Sequence, residues 1–107
     1  MNNSKITIIV ACLNSEKSIE DAIISIKNQK YNPLEVIVVD GGSTDNTINI
    51  IHKYDLPNLK IISEPDKGIG DAWNKGLRHS SGEIIGILNS DDYYEQNILQ
   101  GIGDFFL

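Results

Sequence analysis

The fold turns on "VIVVDGGSTDNT", Val36–Thr47. Four apolar, β-branched residues run into an aspartate, two glycines and a Ser-Thr-Asp cluster. Such a run, with no polar alternation, predicts a strand covered on both faces. The glycines predict a turn where backbone can approach a ligand closely. A second stretch, "EIIGILNSDDYY" (Glu83–Tyr94), repeats the pattern: an apolar run ending in acids. Whether the two acidic ends meet decides what the protein can do.

Outward from these runs, the chain reads as strands alternating with helices. "KITIIVACL" (Lys5–Leu13) predicts a buried strand, and Asn14 or Ser15 is expected to cap a helix over Glu16–Gln29. Ile19, Ala22, Ile23 and Ile26 form its apolar face. Leu34–Asp40 is the second strand, and Ser43 or Thr44 is expected to cap a helix reaching about Tyr54. Leu59–Ser63 is a third strand and Glu64–Gly70 a loop. A helix from about Asp71 to His79 carries Ala72, Trp73 and Leu77 as inward candidates. Glu83–Leu88 is the fourth strand; Ile98, Leu99, Ile102, Phe105 and Phe106 mark a last helix. This β-α alternation predicts a doubly wound α/β fold with a mostly parallel sheet, Rossmann-like. Ligands of such sheets bind beyond the carboxyl ends of the strands, at the switch point. If "ACLN" and "NSDD" meet there, the first and fourth strands are neighbours and the order is 3-2-1-4.

Bulk properties narrow the function. A chain of 107 residues is one small domain, and 40% hydrophobic with 22% charged residues suits a globular protein. A net charge of -6 argues against nucleic acid or an anionic membrane as the main partner. The single cysteine, Cys12, precludes an internal disulfide and suits a reducing compartment. No apolar stretch approaches the roughly 20 residues of a membrane-spanning helix. The chain reads as cytoplasmic, with the inner face of a membrane as the alternative station. Asp40, Asp91 and Asp92 are expected on one rim. Carboxylates crowded there repel unless a cation neutralises them, and Mg²⁺ or Mn²⁺ prefers such oxygen ligands.

Taken singly, each motif has an ordinary reading as a cap or a solvated turn. Their order is more telling. "ITIIVACLNSEKSIEDAIISIKNQKY", "EVIVVDGGSTDNT", "SEPDKGIGDAWNKGL" and "GEIIGILNSDDYY" together resemble the N-terminal half of a family 2 glycosyltransferase of the GT-A fold. The resemblance implies that residues 1–107 form the nucleotide-sugar-binding half of an inverting glycosyltransferase. Such an enzyme moves a sugar from a nucleoside-diphosphate donor to an acceptor hydroxyl, here expected in surface polysaccharide synthesis. It implies a nucleotide site at Ala11, Asn14, Asp40, Gly41, Asp71 and Asp91. It implies Mn²⁺ or Mg²⁺ at Asp91, with Asp92 and Asn89 beside it. Two positions depart from the family's pattern. Gly41 stands where many members have a second aspartate, and Asn89 replaces the first acid of the metal motif. The general base and the half that binds an acceptor glycan or lipid-linked glycan are expected beyond Leu107. Self-association through the apolar stripe of the last helix is a further expectation. A rival reading is a binding module that holds nucleotide without turnover. A receiver domain fits poorly, because "ACLN" holds no acid pair after the first strand. A nicotinamide-binding domain lacks G-x-G-x-x-G there.

Overall fold

The structure, a computed structural model, describes residues 4–95 and 98–105. Its elements run β1 (Ile6–Cys12), α1 (Ile19–Lys27), β2 (Leu34–Asp40), α2 (Thr47–Ile51), β3 (Leu59–Ser63), α3 (Ile69–His79), β4 (Ile84–Asn89) and α4 (Ile98–Phe105). The strands form one parallel sheet in the order β3-β2-β1-β4, as the meeting of the two motifs requires. Every residue of β1 and β2 is buried, which explains their unbroken apolar character.

The two faces of the sheet are covered unequally. Ile6, Ile8, Val10 and Cys12 of β1 join Ile19, Ala22, Ile23 and Ile26 of α1, Ile51 of α2 and Leu99 of α4 in the larger core. The alternate residues Ile9, Ala11, Ile37 and Val39 meet Ala72 of α3, with Trp73 packed at the margin. Gly76 lets α3 sit close: a Cβ there would fall 2.5 Å from Ile9 Cγ2. Ile9 is wholly buried and β-branched, so it cannot swing aside. Gly76→Ala should therefore destabilise the fold by about 1–3 kcal/mol, read as a lower urea midpoint.

Helix boundaries and faces differ from the sequence reading. Residues 15–18 form a turn in which the Ser15 carbonyl accepts the N–H groups of Ser18 and Ile19, so α1 starts at Ile19. The hydroxyl of Ser15 caps nothing, because it bonds Leu13 O and Ser90 Oγ. Ser43 and Thr44 likewise do not cap α2, which begins at Thr47 and is shorter than expected. Instead Asp45 Oδ1 accepts the Thr47 N–H at 3.0 Å. Helix α3 begins two residues earlier than expected, and Leu77 faces outward while Gly76 takes the inward place. On α4, Leu99 is buried in the core, whereas Ile98 and Ile102 are exposed. Phe106 and the side chain of Phe105 lie outside the described residues. Among the described residues no helix is long and apolar enough to cross a membrane.

Candidate donor and metal site

The carboxyl ends of β1, β2 and β4 converge as the parallel register dictates. Ala11 pairs with Asn89 and with Val39, and Cys12 with Asp40. An open cleft of about 680 Å³ lies at this edge. Ala11, Asn14, Asn89 and Asp91 line it, together with Asp45 and Asp66. Asp40, Gly41, Asp71 and Asp92 are not among its lining residues.

Asp40 differs most from its expected place on the rim. It is wholly buried at the end of β2. Its Oδ2 accepts the N–H groups of Gly42 (3.2 Å) and Ser43 (2.9 Å) and the hydroxyl of Ser63 (2.8 Å). Its Oδ1 accepts the Ser43 hydroxyl and, at 3.4 Å, the Cys12 thiol. Burial raises the carboxyl pKa, but hydrogen bonds from Ser43, Ser63 and Cys12 outweigh it and hold the group below the ordinary carboxylate value. The same surroundings push the Cys12 thiol up, by burial first and then by the Asp40 charge. Asp40 is thus a knot that ties β1, β3 and the glycine turn together. Of the two capping residues expected of α2, Ser43 is spent on that knot, while Thr44 bonds Asn14.

Asn14 closes the turn from the other side. It adopts a left-handed backbone (φ 47°) that asparagine tolerates better than most residues. Its Oδ1 accepts the Thr44 N–H at 2.8 Å, and its own N–H donates to Ser43 Oγ at 2.8 Å. Asp71 sits one loop away. It accepts the Lys67 N–H at 3.0 Å and pairs with Lys75 at 3.6 Å, bonds that lower its pKa. Its carboxylate organises the entry to α3.

Asp66 lies close against Gly41. A Cβ on Gly41 would fall 2.9 Å from Asp66 Oδ2. Asp66 itself accepts the Gly68 N–H at 3.0 Å. Neither Asp66 nor Asp45 stands out in the sequence as a site residue. Both lie in loops, where no periodicity tells the direction of a side chain.

The turn after β4 supports a cation site. Asn89 Oδ1 is buried without a hydrogen-bond partner among the described residues. Buried acceptors are ordinarily satisfied, so an orphan beside acids suits a ligand that brings a positive charge. Asp91 and Asp92 follow after Ser90 and are exposed. The Ser90 N–H donates to Ala11 O at 3.2 Å, which fixes the start of the turn to β1. Among the described residues no group of three or more His, Cys, Asp or Glu could hold a metal by itself. An all-oxygen set completed by a ligand's phosphates is the arrangement these residues fit.

A parallel sheet in this order with a polar cleft at its switch point is a doubly wound α/β fold with its ligand edge at the carboxyl ends of the strands. The description "Glycosyl transferase family 2" matches residues 7–106, and the chain belongs to that family. Chondroitin synthase of Escherichia coli is 37% identical over 97 residues, covering 89% of this chain and 14% of that protein. Among solved structures, S. aureus TarS in complex with UDP-GlcNAc aligns with a TM-score of 0.90 at 34% identity, over 95% of this chain and 31% of that one. A mannosyltransferase from Pyrobaculum calidifontis, in complex with GDP-Man and Mn²⁺, aligns at 0.81 with 33% identity, over 90% and 30% of the two chains. The chain spans less than a third of each of these three proteins.

Proposed function

We propose that these 107 residues form the donor-binding part of an inverting glycosyltransferase that builds a surface polysaccharide. The observation that carries this reading is the cleft where β1 and β4 end, with the unpartnered Asn89 Oδ1 and the exposed Asp91 at one side. Family membership and neighbours crystallised with UDP-GlcNAc or with GDP-Man and Mn²⁺ support it. Asp91 is the main ligand for Mn²⁺ or Mg²⁺, with Asn89 and Asp92 beside it. When bound, the metal would stabilise negative charge growing on the leaving diphosphate. Ala11, Asn14 and Asp66 line the part of the cleft where the nucleoside fits. Asp40 and Gly41 shape the turn that borders it: Asp40 by its inward bonds, Gly41 by leaving room for Asp66. Asp71 acts on the same rim by holding the 67–71 loop. The acceptor, a glycan or lipid-linked glycan hydroxyl, is not assigned to any of these residues.

Calorimetric titration with UDP and with GDP, each with and without Mn²⁺, tests the reading. Mn²⁺ should strengthen binding of at least one of them by about tenfold or more. No binding of either at millimolar concentration with Mn²⁺ present, or binding indifferent to the metal, would overturn it.

A further inference from the structure

Gln29 is a polar side chain buried to 2% exposure, just past the end of α1 and some 60 residues before the acidic turn in sequence. Both ends of its amide are engaged. Nε2 donates to Ser25 O at 3.2 Å and to Glu95 O at 2.7 Å, and Oε1 accepts the Leu99 N–H at 3.0 Å. Four residues earlier, Ser25 Oγ accepts the Tyr94 N–H at 3.0 Å and donates to Ala22 O at 2.8 Å. One side of α1 and its exit therefore grips the chain that leaves the acidic turn, at Tyr94, Glu95 and Leu99.

The other stem of that turn is also fixed. Ser90 is bonded to Ala11 O, and its hydroxyl meets Ser15 Oγ at 2.8 Å. The Asp92 N–H donates to Asn89 O at 3.0 Å. Between the anchors at Ser90 and Tyr94 lie only Asp91, Asp92 and Tyr93, all exposed. Tyr93 is 66% exposed beside a groove of about 550 Å³, whereas Tyr94 packs against the larger core and Leu99 is buried in it. To this non-directional packing the hydrogen bonds from α1 add a directional restraint, fixing the backbone at Tyr94, Glu95 and Leu99.

From this geometry we propose that Gln29, assisted by Ser25, is a positioning residue for the metal-binding turn. It sets where Asp91 and Asp92 stand by clamping the chain that leaves them. The proposal rests on reading that turn as the metal and donor site. A buried amide bonded at both ends resists apolar replacement, because the Leu99 N–H and the Glu95 carbonyl would lose their partner. Outer partners of metal ligands tune affinity by holding the ligands in place.

The test is NMR on ¹⁵N-labelled protein, titrated with Mn²⁺ in the presence of UDP or of GDP. Paramagnetic broadening of the amides of residues 89–92 reports where the metal sits and at what concentration. Gln29→Leu should raise the Mn²⁺ concentration for half-broadening about tenfold while metal-free nucleotide affinity stays the same. Ser25→Ala should shift it less, in the same direction, and carries the test if Gln29→Leu does not fold. Faster amide exchange at Tyr94 or Leu99 should accompany each loss. Variants with a lower melting temperature but the wild-type Mn²⁺ midpoint would overturn the proposal while leaving the donor site standing. Absence of broadening at 89–92 in the wild type would overturn the donor-site reading, and this proposal with it.

Discussion

Asp91→Ala should abolish the Mn²⁺-dependent part of nucleotide binding and leave the melting temperature unchanged. Asp91 is exposed at the rim of the cleft, so its removal opens no cavity in the core. Outer-shell partners of metals cost about 10–100-fold in affinity when removed, and a direct ligand is expected to cost no less. Asp40→Ala should behave in the opposite way. Its carboxylate is wholly buried and accepts bonds from Gly42, Ser43, Ser63 and Cys12. Alanine leaves those donors unpaired in the interior, which costs about 1–3 kcal/mol for each group that finds no water. Stability should fall by about 3 kcal/mol, and nucleotide binding should weaken with and without metal as the glycine turn loosens. Urea unfolding paired with calorimetry of both variants separates the two roles. If Asp91→Ala keeps its metal dependence, or Asp40→Ala keeps wild-type stability, the assignment of ligand and knot is wrong.

Strand identity and order were legible because they rest on composition that only one environment explains. "ITIIVAC" and "LEVIVVD" are apolar almost throughout, and both strands are buried throughout. The order followed from requiring that Ala11 and Asn89 lie side by side, and they are paired in the sheet. The direction of single side chains was not legible. Asp40 ends its strand as an exposed ligand-binding acid would, yet it points inward, because two backbone N–H groups and the side chains of Ser43, Ser63 and Cys12 compete for it. Ser15, Ser43 and Thr44 have the chemistry of helix caps, but their hydroxyls meet partners distant in sequence: Ser15 meets Ser90, Ser43 accepts the Asn14 N–H besides bonding Asp40, and Thr44 meets Asn14 Oδ1. Long-range partners of this kind leave no periodic trace. Asp66 shows the same limit: its approach to Gly41 depends on how the loop after β3 folds back over the glycine turn.

At the opposite edge of the sheet, acid should expose a second buried carboxylate. Glu35, near the start of β2, is 2% exposed. Its Oε1 accepts the Thr7 hydroxyl at 2.9 Å and the Ser81 N–H at 3.0 Å. Its Oε2 accepts Ser81 Oγ at 3.1 Å and faces Lys60 Nζ at 3.3 Å and Lys5 Nζ at 3.9 Å. The carboxylate thus joins β1, β3 and the segment leading into β4. Burial raises its pKa, but the bonds from Ser81, Thr7 and Lys60 outweigh burial and bring it from 4.5 down to about 2. The unfolded chain takes up this proton first as pH falls. The stabilising contribution is therefore complete above about pH 4.5 and is lost as pH drops toward about 2, and it amounts to about 3 kcal/mol. Glu35→Gln keeps a hydrogen-bonding amide but cannot titrate. At pH 7 it should be less stable than wild type by up to about 3 kcal/mol, and the gap should close toward pH 2. Urea midpoints at pH 7, 5 and 3 measure this; a gap constant across that range would refute the depressed pKa as its source. Because Glu35 lies at the amino ends of the strands, away from the cleft, the folded variant should bind UDP or GDP with Mn²⁺ as the wild type does. A loss of affinity in the folded variant would mean that the two edges of the sheet are coupled, and that stability and donor binding cannot be separated by which end of a strand a carboxylate occupies.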